Sequence, residues 1–370
     1  MPTVAYSGEI DRQKQAADVM ARALKPEGME LTHLIGPNTP HRYHPETKKE
    51  IDLRIDALAA KGRDPVPSII HFDTWTLRYN RCSWVRIDEL ERHWERATVV
   101  AWFMDDKGII NASTKNVSAL TVAIPPGYCR GTPIDEFVIL MDGAWRVAGI
   151  SVPVTSDRSL TVHLRKTDGK WQKVPSPDDG TIRKRPGLQG PIDDAFMDRF
   201  LMVRPTGQPL NEKVGAWAKG EMEHAIVHWR RQFRGDAPVK DDTAVSDADI
   251  ASSNLALWGD PSSNKLLAKI ADRLPVKWTA EGVRVGDRTF PADTHVPVLI
   301  YPNPLNPKKY VVLNSGFTFR EYDYLNNARQ VPKLPDYAVL DVSVAPNSRT
   351  PGKVVLADFF DEQWKLKTEK

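Results

Sequence analysis

Cysteine is nearly absent: Cys82 and Cys129 are the only two in 370 residues. They can form one bridge at most and neither belongs to a CxxC motif, which excludes a disulfide-stapled fold and a thiolate zinc site. No apolar run approaches the roughly 20 residues of a spanning helix. An excess of one charge is lacking too. The 51 basic and 48 acidic residues leave a net charge of +3, spread too evenly to mark a partner such as nucleic acid or an anionic membrane. The first residues, from Met1 to Tyr6, carry no basic, apolar and small-residue signal pattern, so the expected location is the cytoplasm. An opening directly on a buried-looking strand gives the further expectation of an upstream portion.

What is present is ordinary globular composition, 41% hydrophobic and 27% charged, in a chain long enough for two or three domains. Residues 1–62 read strand, helix, strand, helix: Thr3 to Tyr6, Arg12 to Leu24, Met29 to Ile35, and Pro45 to Ala60. The helices rest on apolar spacing, with Ala16, Val19, Met20, Ala23 and Leu24 on one face and Ile51, Ile55, Leu58 and Ala59 on another. From 65 to 175 the pattern changes to short Val-, Ile-, Thr- and Trp-rich runs separated by turn signals such as Asp142-Gly143 and Asp168-Gly169, which predicts an antiparallel β-sandwich-like module. One helix-like insertion, Ile87 to Arg96, interrupts it. Residues 175–191 are rich in Pro, Gly and charge and read as a linker. From 192 to 370 strands and helical patterns alternate, which predicts a parallel sheet with crossover helices in a three-layer, flavodoxin-like domain. The expected fold class is α/β plus β.

The N-terminal segment carries the clearest chemistry. Gly8-Glu9-Ile10-Asp11 precedes an amphipathic helix, and the next strand leads into Gly36-Pro37-Asn38-Thr39-Pro40-His41. An acid at a strand end can accept the histidine Nδ1 proton and leave Nε2 as a base. Without that chemistry, Asp11 is a good cap for the helix that follows.

In its order of strand, acid, helix, strand and histidine, the segment resembles the C-terminal end of a prolyl-oligopeptidase-like α/β-hydrolase domain. Trp258-Gly259-Asp260-Pro261, Tyr301 to Pro307 and Asn314 to Arg320 resemble the long C-terminal extension of large bacterial peptidase-like hydrolases of that family. The resemblance implies that residues 1–62 are the last part of an α/β-hydrolase domain, with Asp11 and His41 the acid and histidine of a triad. It also implies a serine in a G-x-S-x-G elbow before the acid. No serine here has that context, Ser7, Ser151 and Ser315 included.

Other constellations compete. His224 and His228 stand one helical turn apart beside Glu221 and Glu223, a spacing that suits zinc, but without H-E-x-x-H order. Asp241, Asp242, Asp247 and Asp249 form an acidic stretch that could offer oxygens to calcium, although the EF-hand spacing is missing. Gly259 to Asn264 follows a strand and opens a helix, a place where anions bind. Asp260, Ser262 and Asn264 there, with Asn303 from the Pro302 to Pro307 loop, form an expected cleft. The basic-aromatic run from Trp229 to Arg234 complements a helix dipole more simply than it binds nucleic acid.

The leading expectation is a hydrolase of an ester, lactone or amide bond in a small-molecule substrate, with no required cofactor. Two alternatives stand beside it: a non-catalytic interaction or substrate-presenting module, and metal-assisted hydrolysis in the C-terminal domain. An open strand edge in residues 1–62 would favour a homodimer by strand pairing.

Overall fold

The computed structural model describes residues 3–130, 135–143 and 149–367. The chain is mixed α/β with several sheets and divides into two compact units, Met1–Pro65 and Val66–Lys370.

In the first unit β1 (Val4–Gly8) pairs in parallel with β2 (Thr32–Gly36), Val4 opposite Thr32 and Gly8 opposite Gly36. A parallel pair needs a crossover, and α1 (Gln15–Leu24) supplies it. After β2 the chain enters α2 (Pro45–Lys61), where Pro45 takes the first turn and Glu46 stands near the positive end of the dipole. The four expected elements are present, but little is buried. No residue of α1 is buried and Ile51 is the only one in α2, while Val19, Met20, Leu53, Ile55 and Leu58 are exposed.

The second unit begins with two five-stranded sheets around one apolar core. In chain order the strands are β3 (Ile69–Thr74), β4 (Arg81–Cys82), β5 (Val85–Leu90), β6 (Ala97–Met104), β7 (Ile109–Lys115), β8 (Val117–Ile124), β9 (Glu136–Met141), β10 (Ile150–Pro153), β11 (Leu160–Thr167) and β12 (Lys170–Val174). The sheets run β10-β9-β7-β6-β3 and β12-β11-β8-β5-β4. All pairings are antiparallel except β7 with β9. Strict alternation places Ala97, Val99, Ala101 and Phe103 of β6 inward.

The expected helix from Ile87 to Arg96 is instead the end of the interior strand β5 and the turn after it. The register of β5 against β8 shifts at Ile87, Glu89 and Leu90, and such an irregularity breaks the period-two pattern by which strands are read. Its two adjacent acids are held by hydrogen bonds, Asp88 by Arg86 of the same strand and by the distant Thr121, Glu89 by the distant Arg165 and Arg183.

Residues 175–191 are no free linker. Lys184, Leu188 and Gln189 are buried, Lys184 N–H donates to the Glu362 carbonyl, and Arg183 reaches back to Glu89. The segment is a strap fastened to both parts of the second unit.

The C-terminal sheet has seven strands: β13 (Phe200–Arg204), β14 (Val239–Asp241), β15 (Asn254–Leu257), β19 (His295–Asn303), β20 (Asn306–Leu313), β21 (Tyr337–Asp341) and β22 (Lys353–Asp358). Their order is β14-β13-β15-β20-β19-β21-β22. The helices α3 (Glu212–Phe233), α4 (Asp247–Ser252) and α5 (Lys265–Ile270) follow β13, β14 and β15. A small antiparallel sheet of β16 (Val276–Trp278), β17 (Val283–Val285) and β18 (Arg288–Phe290) was not anticipated.

The wholly parallel, flavodoxin-like expectation is therefore corrected. Strands β14, β13, β15 and β20 are parallel, whereas β19, β21 and β22 pair antiparallel. The reason is the short turn between Asn303 and Asn306, which can only join antiparallel strands.

Candidate functional site

Asp11 and His41 meet. Strand β1 ends at Gly8, and Asp11 N–H turns back to the Gly8 carbonyl. A Cβ on Gly8 would lie 2.1 Å from the Thr39 carbonyl oxygen, so glycine is what lets the loop after β2 cross the end of β1. That loop is tied down by Asn38 N–H on Glu9 Oε2 at 2.7 Å, by the Tyr6 hydroxyl donating to the Arg42 carbonyl at 2.8 Å, and by His44 N–H on the same hydroxyl at 2.7 Å.

His41 Nδ1 then lies 2.8 Å from Asp11 Oδ2. The other carboxylate oxygen accepts Gln13 N–H at 2.9 Å, so Asp11 both caps the turn into α1 and orients the histidine. The Gln13 N–H, and next the His41 ring, hold the Asp11 carboxyl below its ordinary 3.8. A carboxylate can only accept, so in neutral His41 the proton sits on Nδ1 and the Nε2 lone pair is free. The His41 side chain is 77% exposed against 11% for Asp11. The ring is open to solvent and the carboxylate that holds it is largely covered.

The serines lie elsewhere. Ser7, on β1 and buried, sits 3.0 Å from His33 Nε2 across the strand pair, and His33 Nδ1 lies 3.9 Å from Asp18 on α1. This line of Ser7, His33 and Asp18 has no local sequence signature, because its members come from three elements. At 3.9 Å the last link is too long for a hydrogen bond, and the Ser7 hydroxyl serves as a cross-strand pin. Ser151 binds Glu136 and Ser315 binds the Gly316 carbonyl.

The proposed metal ligands do not assemble. His224 Nε2 is 2.7 Å from Glu321 Oε1, and His228 Nδ1 is 2.5 Å from the Tyr324 hydroxyl. Asp249 is taken up by Lys240 and the Ser246 capping box, and Asp247 is an exposed residue of the same first turn. Among the described residues no group of three or more His, Cys, Asp or Glu is placed to hold a metal ion. The zinc and calcium readings are corrected for that reason.

The expected cleft exists but is lined differently. A pocket of about 430 Å³ opens at the carboxyl ends of β13 and β15, where β14 lies on one side of β13 and β15 on the other, the switch point at which open sheets bind ligands. Pro205, Gly207, Lys219, Met222, Gly259 and Ser263 are among the residues lining it. Asp260 is buried behind it, accepting from Leu210, Ser262 and Ser263 N–H groups, while Asn264 caps α5 and Asp242 accepts Lys265 N–H. These carboxylates and amides already satisfy the N–H groups that an anion would need, so the anion reading of Asp260, Ser262 and Asn264 is corrected. Asn303 is at the other end of the sheet, because β19 runs antiparallel to β20 and ends opposite Asn306.

No protein-family model, curated protein or solved structure matches the chain. The site's chemistry stands on its own geometry.

Proposed function

We propose that the N-terminal unit carries the histidine and acid of a hydrolase site for ester or lactone bonds, with His41 the general base and Asp11 its orienter. The observation that carries this reading is the 2.8 Å contact of His41 Nδ1 with Asp11 Oδ2 on a histidine whose side chain is otherwise largely exposed. The order of the elements around the pair, as in the prolyl-oligopeptidase-like end of an α/β-hydrolase, supports it.

With no elbow serine in the chain, His41 Nε2 takes its proton from water as that water attacks the acyl carbon. A base contributes typically 10²- to 10⁴-fold, enough for a strained lactone or activated ester and too little for a peptide bond. Turnover of a panel of p-nitrophenyl esters and lactones by wild type, Asp11→Ala and His41→Ala tests this. Loss of turnover in both folded variants is the expected result; activity indifferent to both changes refutes it.

A second reading, a non-catalytic interaction module, is favoured by one observation. The apolar residues of α1 and α2 at positions 19, 20, 53, 55 and 58 are uncovered, a surface of the kind that marks association.

A further inference from the structure

The strap meets the C-terminal sheet at Lys184 and Asp336. Both side chains are fully enclosed, with Lys184 Nζ 2.6 Å from Asp336 Oδ2. The ammonium lies 5.2 Å from the Trp364 ring centre and 5.8 Å from that of Phe359, so the enclosed pair stands against two aromatic rings. Gly190 makes room for the carboxylate, since a Cβ there would fall 2.1 Å from Oδ1.

Three features exceed what an ion pair needs. Phe360 N–H donates to Oδ2 at 3.0 Å, in the position of a donor to a developing oxyanion. Asp336 Oδ1 is buried without a hydrogen-bond partner. His93, which lines one pocket with Phe360, is held at Nδ1 by Glu362 Oε2 at 2.6 Å and has a buried, unpartnered Nε2. An acid-histidine pair thus stands on the Phe360 side of the enclosed lysine and carboxyl.

We propose that Lys184 and Asp336 condense into an intramolecular amide. A first proton leaves Nζ and comes to rest on Oδ1, which gives the amine and a carboxylic acid with Oδ2 as its carbonyl oxygen, and the Nζ lone pair attacks Cγ. The Nζ–Cγ bond forms while Oδ2 is held by Phe360 N–H. The Cγ–Oδ1 bond then breaks, and the second Nζ proton passes through His93 Nε2 to Oδ1, which leaves as water. No electron is gained or lost.

Desolvation activates an amine, and fixed juxtaposition supplies effective molarities of about 10⁵ M or more. Burial also raises the Asp336 carboxyl, against the lowering effect of Lys184, which brings the neutral acid within reach. The amide removes an ion pair whose enclosure is costly, and it ties the strap covalently to the residue before β21.

Intact mass of the denatured full-length chain is the test. The expected mass is one water below the sequence mass, with proteolysis yielding one branched peptide that contains Lys184 and Asp336. Asp336→Asn is expected to lose ammonia in place of water and give the same branched peptide, and Lys184→Arg to keep its full mass. A folded wild-type chain at full sequence mass, or a loss that maps elsewhere, overturns the proposal. A His93→Gln chain that converts as fast as wild type overturns the relay.

Discussion

Asp11 offers one carboxylate oxygen to Gln13 N–H and the other to His41 Nδ1, at 2.9 and 2.8 Å. In Asp11→Asn the carbonyl oxygen must stay with the Gln13 N–H, so the amide NH₂ faces the histidine. His41 Nδ1 then becomes an acceptor and its proton moves to Nε2. Nitrogen-15 NMR of the ring is expected to report an Nδ1–H tautomer in wild type and Nε2–H in the variant. An unchanged tautomer contradicts the orienting role.

The pH response of the second unit is set in part by His228, which burial, and after it the nearby His224 charge, pushes down to about 4. The unfolded histidine takes a proton below its ordinary 6.5. Stability from this group is therefore complete above pH 6.5 and lost as pH falls toward 4, by about 3 kcal/mol in all. Urea denaturation at pH 7 and pH 4.5 is expected to show a smaller loss in His228→Phe than in wild type. Equal losses would remove His228 as the source.

Arg320 holds Glu221 through two contacts, at 2.7 and 3.3 Å, with both side chains nearly buried. Glu221→Ala strands the guanidinium and is expected to cost about 3–5 kcal/mol of unfolding free energy. The double variant Glu221→Met with Arg320→Met is expected to cost less than Glu221→Ala alone. A double variant that costs more would mean that the pair is worth more than the packing that replaces it.

Because His224, His228 and Asp249 are engaged by protein partners and Asp247 stands apart on an exposed turn, chelation is expected to leave both the melting temperature and any ester or lactone turnover unchanged. A fall in either on treatment with EDTA, restored by zinc or calcium, contradicts this.

Local signals were the legible ones. The spacing of apolar residues marks α1 and α2, the Val-, Ile-, Thr- and Trp-rich runs between turn signals mark the sandwich, and Asp11 and His41 can be paired because each closes a strand end with its own turn. What escaped depends on distant partners. The Ile87 to Leu90 run looks helical until Arg165 and Arg183 arrive to hold Glu89. Lys184 looks like a solvated linker charge until Asp336, 152 positions on, encloses it. Asp193 looks like a surface acid, yet full burial pushes it up to about 6, opposed by hydrogen bonds from Thr318. Asn303 falls with Asp260 on strand signals alone, because those signals do not reveal the hairpin that reverses β19 against β20.

The measurement that bears most directly on the central claim is steady-state hydrolysis of the best ester or lactone substrate by wild type, Asp11→Asn and His41→Ala, each checked for an unchanged melting temperature. The account predicts that kcat/KM falls by roughly 10²- to 10⁴-fold in both variants. Wild-type turnover in either folded variant would contradict it.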